Sequence, residues 1–254
     1  MSDLRDKETI AGFAKGLRVI QAFDAGSPRL SISEVAARTG LQRATARRCL
    51  LTLAAGGYAD FDGKYFRLTP RLLRLGHAYL ASTPLPRLVQ PWLEQLAQQT
   101  DESCSASILD GADIVYVARA SQRRVMSIGL NVGSRLPAYC SSMGRVLLGA
   151  LPERQQRSLL EATPKPKRTP RTLTEVEDLL AEIEQVRQQG YAVIDQELEI
   201  GLRSIAVPLH DTSGRVVAAI NVGAQAERVA IETMRRDFLP RMQSIQQELV
   251  RLLN

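Results

Sequence analysis

The chain has 254 residues, 44% of them hydrophobic, and a formal net charge of +6 at neutral pH. This length supports two domains with cores of their own, and the apolar share is that of a globular protein, not a disordered one. No apolar run approaches the roughly 20 residues of a membrane span, and the start MSDLRDKET is charged, unlike a secretory leader. The expectation is a cytoplasmic protein with no membrane partner.

In chain order, Gly12 to Phe23 places Phe13, Leu17, Ile20 and Phe23 at helical spacing. The spacing predicts an amphipathic helix that braces the helices after it. Ser31 to Tyr58 then reads as two short helices around a glycine turn. Ser31 and Glu34 form a capping box, so the first helix starts at Ile32 and buries Ile32, Val35 and Ala36. Thr39-Gly40 ends it. The second helix starts near Gln42 and turns Ala46, Cys49, Leu50 and Leu53 inward. Its other face carries Gln42, Arg43, Thr45, Arg47 and Arg48. Arg43 and Arg47 lie one turn apart, a geometry suited to phosphates or guanine edges in a major groove. The blander role for Arg47 or Arg48 is an ion pair with Asp60 or Asp62.

Tyr58 to Leu68 alternates apolar and polar residues around Asp62-Gly63, the signal of a hairpin. This is the wing of a winged helix-turn-helix, with Lys64 at the tip and Arg67 on the return strand as further DNA contacts. Thr69-Pro70 opens a linker helix over Arg71 to Ala81, with Leu72, Leu73, Leu75, Tyr79 and Leu80 as its apolar side. Prolines at 84 and 86 close it. Residues 1–82 hold 13 Lys and Arg against 7 Asp and Glu, whereas residues 83–254 hold 20 of each. The positive excess therefore sits with the helix pair, where a footprint for double-stranded DNA belongs. The expected division is a DNA-binding domain over 10–70, a linker over 71–84 and a second domain over 85–254.

That second domain starts with a helix at Leu88 to Gln99 and continues as a hairpin, Cys104 to Leu109 with Ile114 to Ala120. Another hairpin pairs Arg203 to Leu209 with Arg215 to Gly223. The pattern places helices at Ser141 to Ala150, Glu153 to Ala162, Thr174 to Gln189 and Arg228 to Leu253, with Leu198 to Leu202 as loop. The fold class is α+β, an antiparallel sheet packed by helices. In the last helix Phe238, Met242, Ile245, Leu249 and Leu252 are read as packing on the sheet, with a kink at Pro240. Lys165 to Arg171, KPKRTPR, is read as a solvated connector. Cys49, Cys104 and Cys140 lie far apart without a CxxC pair, so no disulfide, zinc site or other cofactor is expected.

Five blocks resemble, in the right order, the isocitrate-lyase-regulator (IclR) family of bacterial transcription factors. They are FAKGLRVIQAF, GLQRATARRCLLTL, FRLTPRLLRLGHAYL, PAYCSSMGRVLLGAL and ELEIGLRSIAVPL. RATARRCLLTL and the end of the linker look most like the PcaR, PcaU and PobR type, which controls protocatechuate, 4-hydroxybenzoate and β-ketoadipate catabolism. The resemblance implies a winged helix that dimerises on promoter DNA and a GAF- or profilin-like C-terminal domain that oligomerises and binds a small effector. Pairing of dimers into tetramers, and contact with RNA polymerase in an activator, are further implications. Carried over by position, Leu136, Ser142 and Met143 line one effector wall, and Asp195 or Ile194, Ser204, Asn221 and Gly223 the other.

An aromatic or dicarboxylic acid in that pocket needs a cation. Arg203 is the first candidate, because guanidinium pairs bidentately with carboxylate and it adjoins Ser204. Arg119 and Arg135 come next. The alternative for Arg203 is an ion pair with Glu197 or Glu199. The functional expectation is an allosteric activator of aromatic-acid catabolic genes, and not an enzyme. Its rivals are a repressor answering a different metabolite, a purely architectural DNA binder and a thiol-based GAF-like enzyme. The last lacks an evident base, because only His77 and His210 exist.

Overall fold

A computed structural model describes residues 9–24, 26–122 and 129–253, which form two compact units divided after Ser82. In the first unit, α1 (Ala11–Gln21) precedes β1 (Arg29–Ser31). The helix pair is α2 (Ile32–Thr39) and α3 (Arg43–Ala55), and the wing is β2 (Ala59–Phe61) with β3 (Tyr65–Leu68). The capping box forms as read, with Ser31 N donating to Glu34 Oε2 at 2.7 Å and Glu34 N to Ser31 Oγ at 3.4 Å. Gly40, with φ of 67°, ends α2 in the left-handed region that glycine enters without a Cβ penalty. Val35, Ala36, Ala46, Leu50 and Phe66 fill the core between helices and wing.

Two features of this unit differ from the expectation. β1 adds a third strand, so the sheet runs β1-β3-β2, with Leu30 opposite Phe66. Three residues are too few to show alternation in the sequence. In α1, Val19 is the buried residue, while Phe13 and Leu17 are 68% and 42% exposed. With Ile10, Ile20, Cys49 and Leu53 they line an apolar groove between α1 and α3. The apolar stripe is real, but the module's own small core covers only its edge.

Thr69 caps a 3-10 turn, Pro70–Leu72, that leads into α4 (Leu73–Ser82). Leu73, Leu75 and Tyr79 on α4 are exposed, so their apolar side is not buried within this unit. The side chain of Leu80 lies outside those described.

The second unit begins with α5 (Leu85–Thr100) and contains a six-stranded antiparallel sheet. Its strands are β4 (Ser103–Asp110), β5 (Asp113–Ala120), β6 (Arg135–Pro137), β7 (Ala192–Asp195), β8 (Leu202–His210) and β9 (Val216–Gln225). The order is β6-β5-β4-β9-β8-β7, so the two foreseen hairpins meet at the β4–β9 pair. β6 and β7 are short edge strands that the pattern does not announce. α5 and the C-terminal helix pack on one face, where Val89, Leu93, Val207, Ile220 and Met242 share a core. The other face receives α6 (Ser142–Gly149), with α7 (Glu153–Ala162) and α8 (Val176–Gln189) beyond it.

The C-terminal helix packs on the sheet, as its spacing implied, but it is not continuous. α9 (Ile231–Thr233) passes through a π-helical turn, Met234–Phe238, into α10 (Leu239–Val250). The π turn sits just before Pro240, where the missing N–H and the ring disfavour regular α geometry. Leu253 is buried and Leu252 exposed, so the last residue of the expected packing row is Leu253 and not Leu252. Leu202 belongs to β8, leaving residues 196–201 as the turn.

Candidate nucleic-acid interface and effector chamber

The helix pair presents its cations to solvent. Gln42, Arg43, Arg47 and Arg48 are exposed, and among the described residues no acid pairs with the three arginines. Asp60, one acid considered for them, instead meets Arg67 across the wing at 3.6 Å. Asp62 Oδ1 accepts from Lys64 N and Tyr65 N at 2.9 and 2.7 Å, and these bonds hold its carboxyl below the usual carboxylate range. The same turn aims Lys64 outward. Lys64 and Arg29 both lie about 5 Å from the Tyr65 ring centroid, so wing and β1 share one cationic, aromatic edge.

The seven DNA-binding candidates do not form one face. Arg43 and Arg47 share a side of α3, whereas Thr45 and Arg48 border the groove with α1. Arg48 is therefore separated from the Arg43–Arg47 pair despite its neighbouring number.

In the second unit, Ser103, Tyr116, Arg119, Ser204, Asn221 and Gly223 line a small chamber on the α6 side of the sheet, closed by Leu130, Leu198 and Leu202. The cavity measures about 40 Å³. The register explains this convergence. Ser105 lies opposite Arg119 on β5 and opposite Asn221 on β9, and Gly223 lies opposite both Ser103 and Ser204. A row of small hydroxyl and glycine positions thus leaves room beneath α6. Ser204 Oγ donates to Ser142 Oγ at 2.8 Å, tying the sheet to the start of α6. Burial pushes the Tyr116 phenol up to about 12, so it stays a neutral donor.

Three of the eight effector candidates, Ser204, Asn221 and Gly223, line this chamber. Leu136 and Met143 are buried in the adjoining apolar core, and Ser142 reaches the chamber through Ser204. Arg203 and Asp195 are engaged with each other. Arg203 Nε donates to Asp195 Oδ1 at 2.7 Å, and its Nη1 donates to the carbonyls of Val229 and Ala226 at 2.6 and 3.2 Å. Arg171 occupies the other oxygen of Asp195. Arg203 is thus bound as a structural cation, with Asp195 in place of the two glutamates considered. Arg135 is bound to Asp110 and Asp113. Arg119 remains. Its Nη1 donates to Ser105 Oγ at 2.9 Å, and among the described residues it has no acidic partner.

Behind the chamber a buried polar lock holds α6, residues 163–175 and residues 196–201 together. Arg145, 1% exposed, donates from Nε to Tyr139 O and from Nη2 to Glu197 Oε2, both at 2.8 Å. Glu197 also accepts from Leu173 N at 3.2 Å, and Thr172 Oγ1 donates to Glu197 O at 2.6 Å. Burial pushes the Glu197 carboxyl up, and Arg145 draws it back down. The basic segment is largely solvated, as expected, but is tied down at several points. Lys165 Nζ donates to the carbonyls of Leu160 and Thr163, and Pro166 O accepts from the Tyr139 hydroxyl. Sequence spacing carried no sign of this lock, because its partners lie up to 52 residues apart.

Burial pushes the thiols of Cys104 and Cys140 to about 12 and 11. Neither is a thiolate at neutral pH, as a nucleophile requires. His210 Nδ1 lies 3.3 Å from Gln246 Nε2. Among the described residues no His, Cys, Asp and Glu cluster could hold a metal ion, and no helix is long and apolar enough to cross a membrane.

Residues 13–63 match the IclR helix-turn-helix domain, and residues 77–250 match the domain described as bacterial transcriptional regulator IclR C-terminal. The chain belongs to the IclR family. It is 48% identical over 236 residues to the Pca regulon regulatory protein of Pseudomonas putida, covering 92% of this chain and 81% of that protein. A transcriptional regulator from Rhodococcus sp. RHA1 shares the fold with a TM-score of 0.80 and 46% identity, over 96% of this chain and 98% of that one. The inducer-binding domain of PobR from Acinetobacter, solved as a double mutant with 3-hydroxybenzoic acid, aligns with a TM-score of 0.63 and 33% identity. It covers 66% of this chain and 98% of that one. As an IclR-family member the chain is a DNA-binding transcriptional regulator of a non-enzymatic class.

Proposed function

We propose that this IclR-family regulator controls genes for the breakdown of hydroxylated aromatic acids in the cytoplasm. Residues 10–70 grip promoter DNA, 71–84 link, and 85–254 sense an acidic effector and oligomerise. The 48% identity to a Pca regulon regulator carries the pathway assignment. Similarity to a PobR domain bound to 3-hydroxybenzoic acid supports the effector class, and 38% identity to the p-hydroxybenzoate hydroxylase transcriptional activator of Acinetobacter baylyi supports activation by way of RNA polymerase. Homodimers supply two reading heads for a two-fold site, and pairing of dimers completes the assembly. The uncovered Phe13 and Leu17 of α1, with Ile10 just before it, offer an apolar surface for that association.

The head works by division of labour. Arg43 and Arg47 read base edges, while Lys64 and Arg67 hold phosphates. Arg43→Ala and Arg47→Ala each weaken operator binding by about 1–3 kcal/mol with little change on random duplex. Lys64→Ala weakens both alike and lowers the salt slope by about 1. Fluorescence anisotropy at several salt concentrations separates these outcomes, and equal losses on operator and random DNA remove the base-reading role. The effector arm is tested on the chain's own upstream region, with and without protocatechuate, 4-hydroxybenzoate and β-ketoadipate. Binding indifferent to all three leaves an architectural protein.

A further inference from the structure

Among the described residues, the chamber combines one cation without an acidic partner and one neutral polar group without a partner. The guanidinium of Arg119 has five N–H donors, of which one reaches Ser105 Oγ. Asn221 Oδ1 is buried and has no hydrogen-bond partner. A buried carboxamide oxygen left unpaired costs desolvation free energy, so a group that completes it gains affinity.

The two groups are held on neighbouring strands. Arg119 and Asn221 both lie opposite Ser105, from β5 and β9, on either side of β4. Their backbones are therefore two strand spacings apart, about 10 Å. The bond to Ser105 brings the guanidinium back over β4, so one strand spacing, about 5 Å, separates it from the Asn221 column. Between and around them stand the Tyr116 ring and the leucines at 130, 198 and 202. The described lining offers no second cation, so a second carboxylate placed at the Asn221 end would be desolvated without a counter-charge.

Resting on the function proposed above, we infer that Arg119 receives the effector's carboxylate and that Asn221 reads an uncharged oxygen at its other end, a phenol hydroxyl or a ketone. Oδ1 accepts from a hydroxyl and Nδ2 donates to a ketone, so one carboxamide serves either chemistry. Arg119 supplies affinity for any acid of fitting size. Asn221 supplies the discrimination, because a site built to bond an oxygen leaves its own polar group unpaired when that oxygen is missing.

The test is calorimetry on the full chain with two matched pairs of monocarboxylates, 4-hydroxybenzoate with benzoate and 4-oxocyclohexanecarboxylate with cyclohexanecarboxylate. In the pair that binds, the oxygenated acid binds about tenfold or more tightly than its partner. Asn221→Leu brings that ratio to within about threefold, and Asn221→Ala does the same should leucine not be accommodated. Arg119→Gln weakens both members at least tenfold and preserves the ratio. Thermal unfolding of each variant shows whether it is folded. An undiminished ratio in both Asn221 variants, or parental affinity in Arg119→Gln, overturns the assignment and leaves the proposed function standing. If the parent chain binds none of the four acids, the aromatic-acid reading falls together with it.

Discussion

Arg145→Ala lowers the stability of the C-terminal unit by about 3–5 kcal/mol, the cost of leaving a buried charge without its partner. Arg145 is fully enclosed, and its removal leaves the Glu197 carboxylate with the Leu173 N–H and, among the described residues, no cation within hydrogen-bond reach. The effect depends on pH with a defined sign. Burial already raises the Glu197 carboxyl, and loss of Arg145 raises it further. A carboxyl raised in the folded state contributes stability at low pH and loses it as pH rises through the folded value. The gap between variant and parent therefore widens from acidic to neutral pH. Urea unfolding across that range measures it, and a gap that is constant with pH would mean that Glu197 does not titrate against Arg145. Because Leu198 follows Glu197 into the chamber wall, effector binding weakens in the same variant.

Gly144→Ala is the second large effect. A Cβ at this position would stand 2.2 Å from Ala138 O, 2.3 Å from Ala138 Cα and 2.5 Å from Ser141 Oγ. Two of those atoms are backbone and cannot rotate away, so α6 must lift from the turn that precedes it. Overpacking against backbone costs about 3 kcal/mol here, the upper part of its usual range. For a domain of this size that lowers Tm by about 6–12 °C. Gly149→Ala in the same helix is the control, since its Cβ would meet ordinary contacts at 3.6 Å and beyond. Calorimetric scans in which the two variants melt alike would show that the close approach at Gly144 is not a constraint.

Local chemistry made the first unit legible. Ser31 with Glu34, Gly40, Asp62-Gly63 and Thr69-Pro70 each act within a few residues, so caps and turns stand in the sequence itself. Burial was harder to read. Phe13 and Leu17 sit at helical spacing, yet the stripe they form is uncovered within the head. Periodicity reports that a face is apolar, not what covers it.

The candidate effector site was partly legible in the sequence. Ser204, Asn221 and Gly223 came from the family resemblance, whereas the choice among Arg119, Arg135 and Arg203 depends on which acids lie close in space. Asp195 claims Arg203 through strand pairing of β7 with β8, and β7 itself is too short to announce. Neither the Arg145–Glu197 lock nor the row of Ser105 between Arg119 and Asn221 is visible without the sheet register.

The narrowness of the space beneath α6 bears on how sensitive the regulator is. About 40 Å³ accommodates little more than a water, so the space beneath α6 must widen to take an aromatic acid. Apparent affinity is then the intrinsic affinity scaled by the fraction of molecules already open. The threshold metabolite level is then set as much by the cost of that widening as by any group touching the acid. Substitutions that ease this widening retune the response to scarcer food without redrawing the recognition surface.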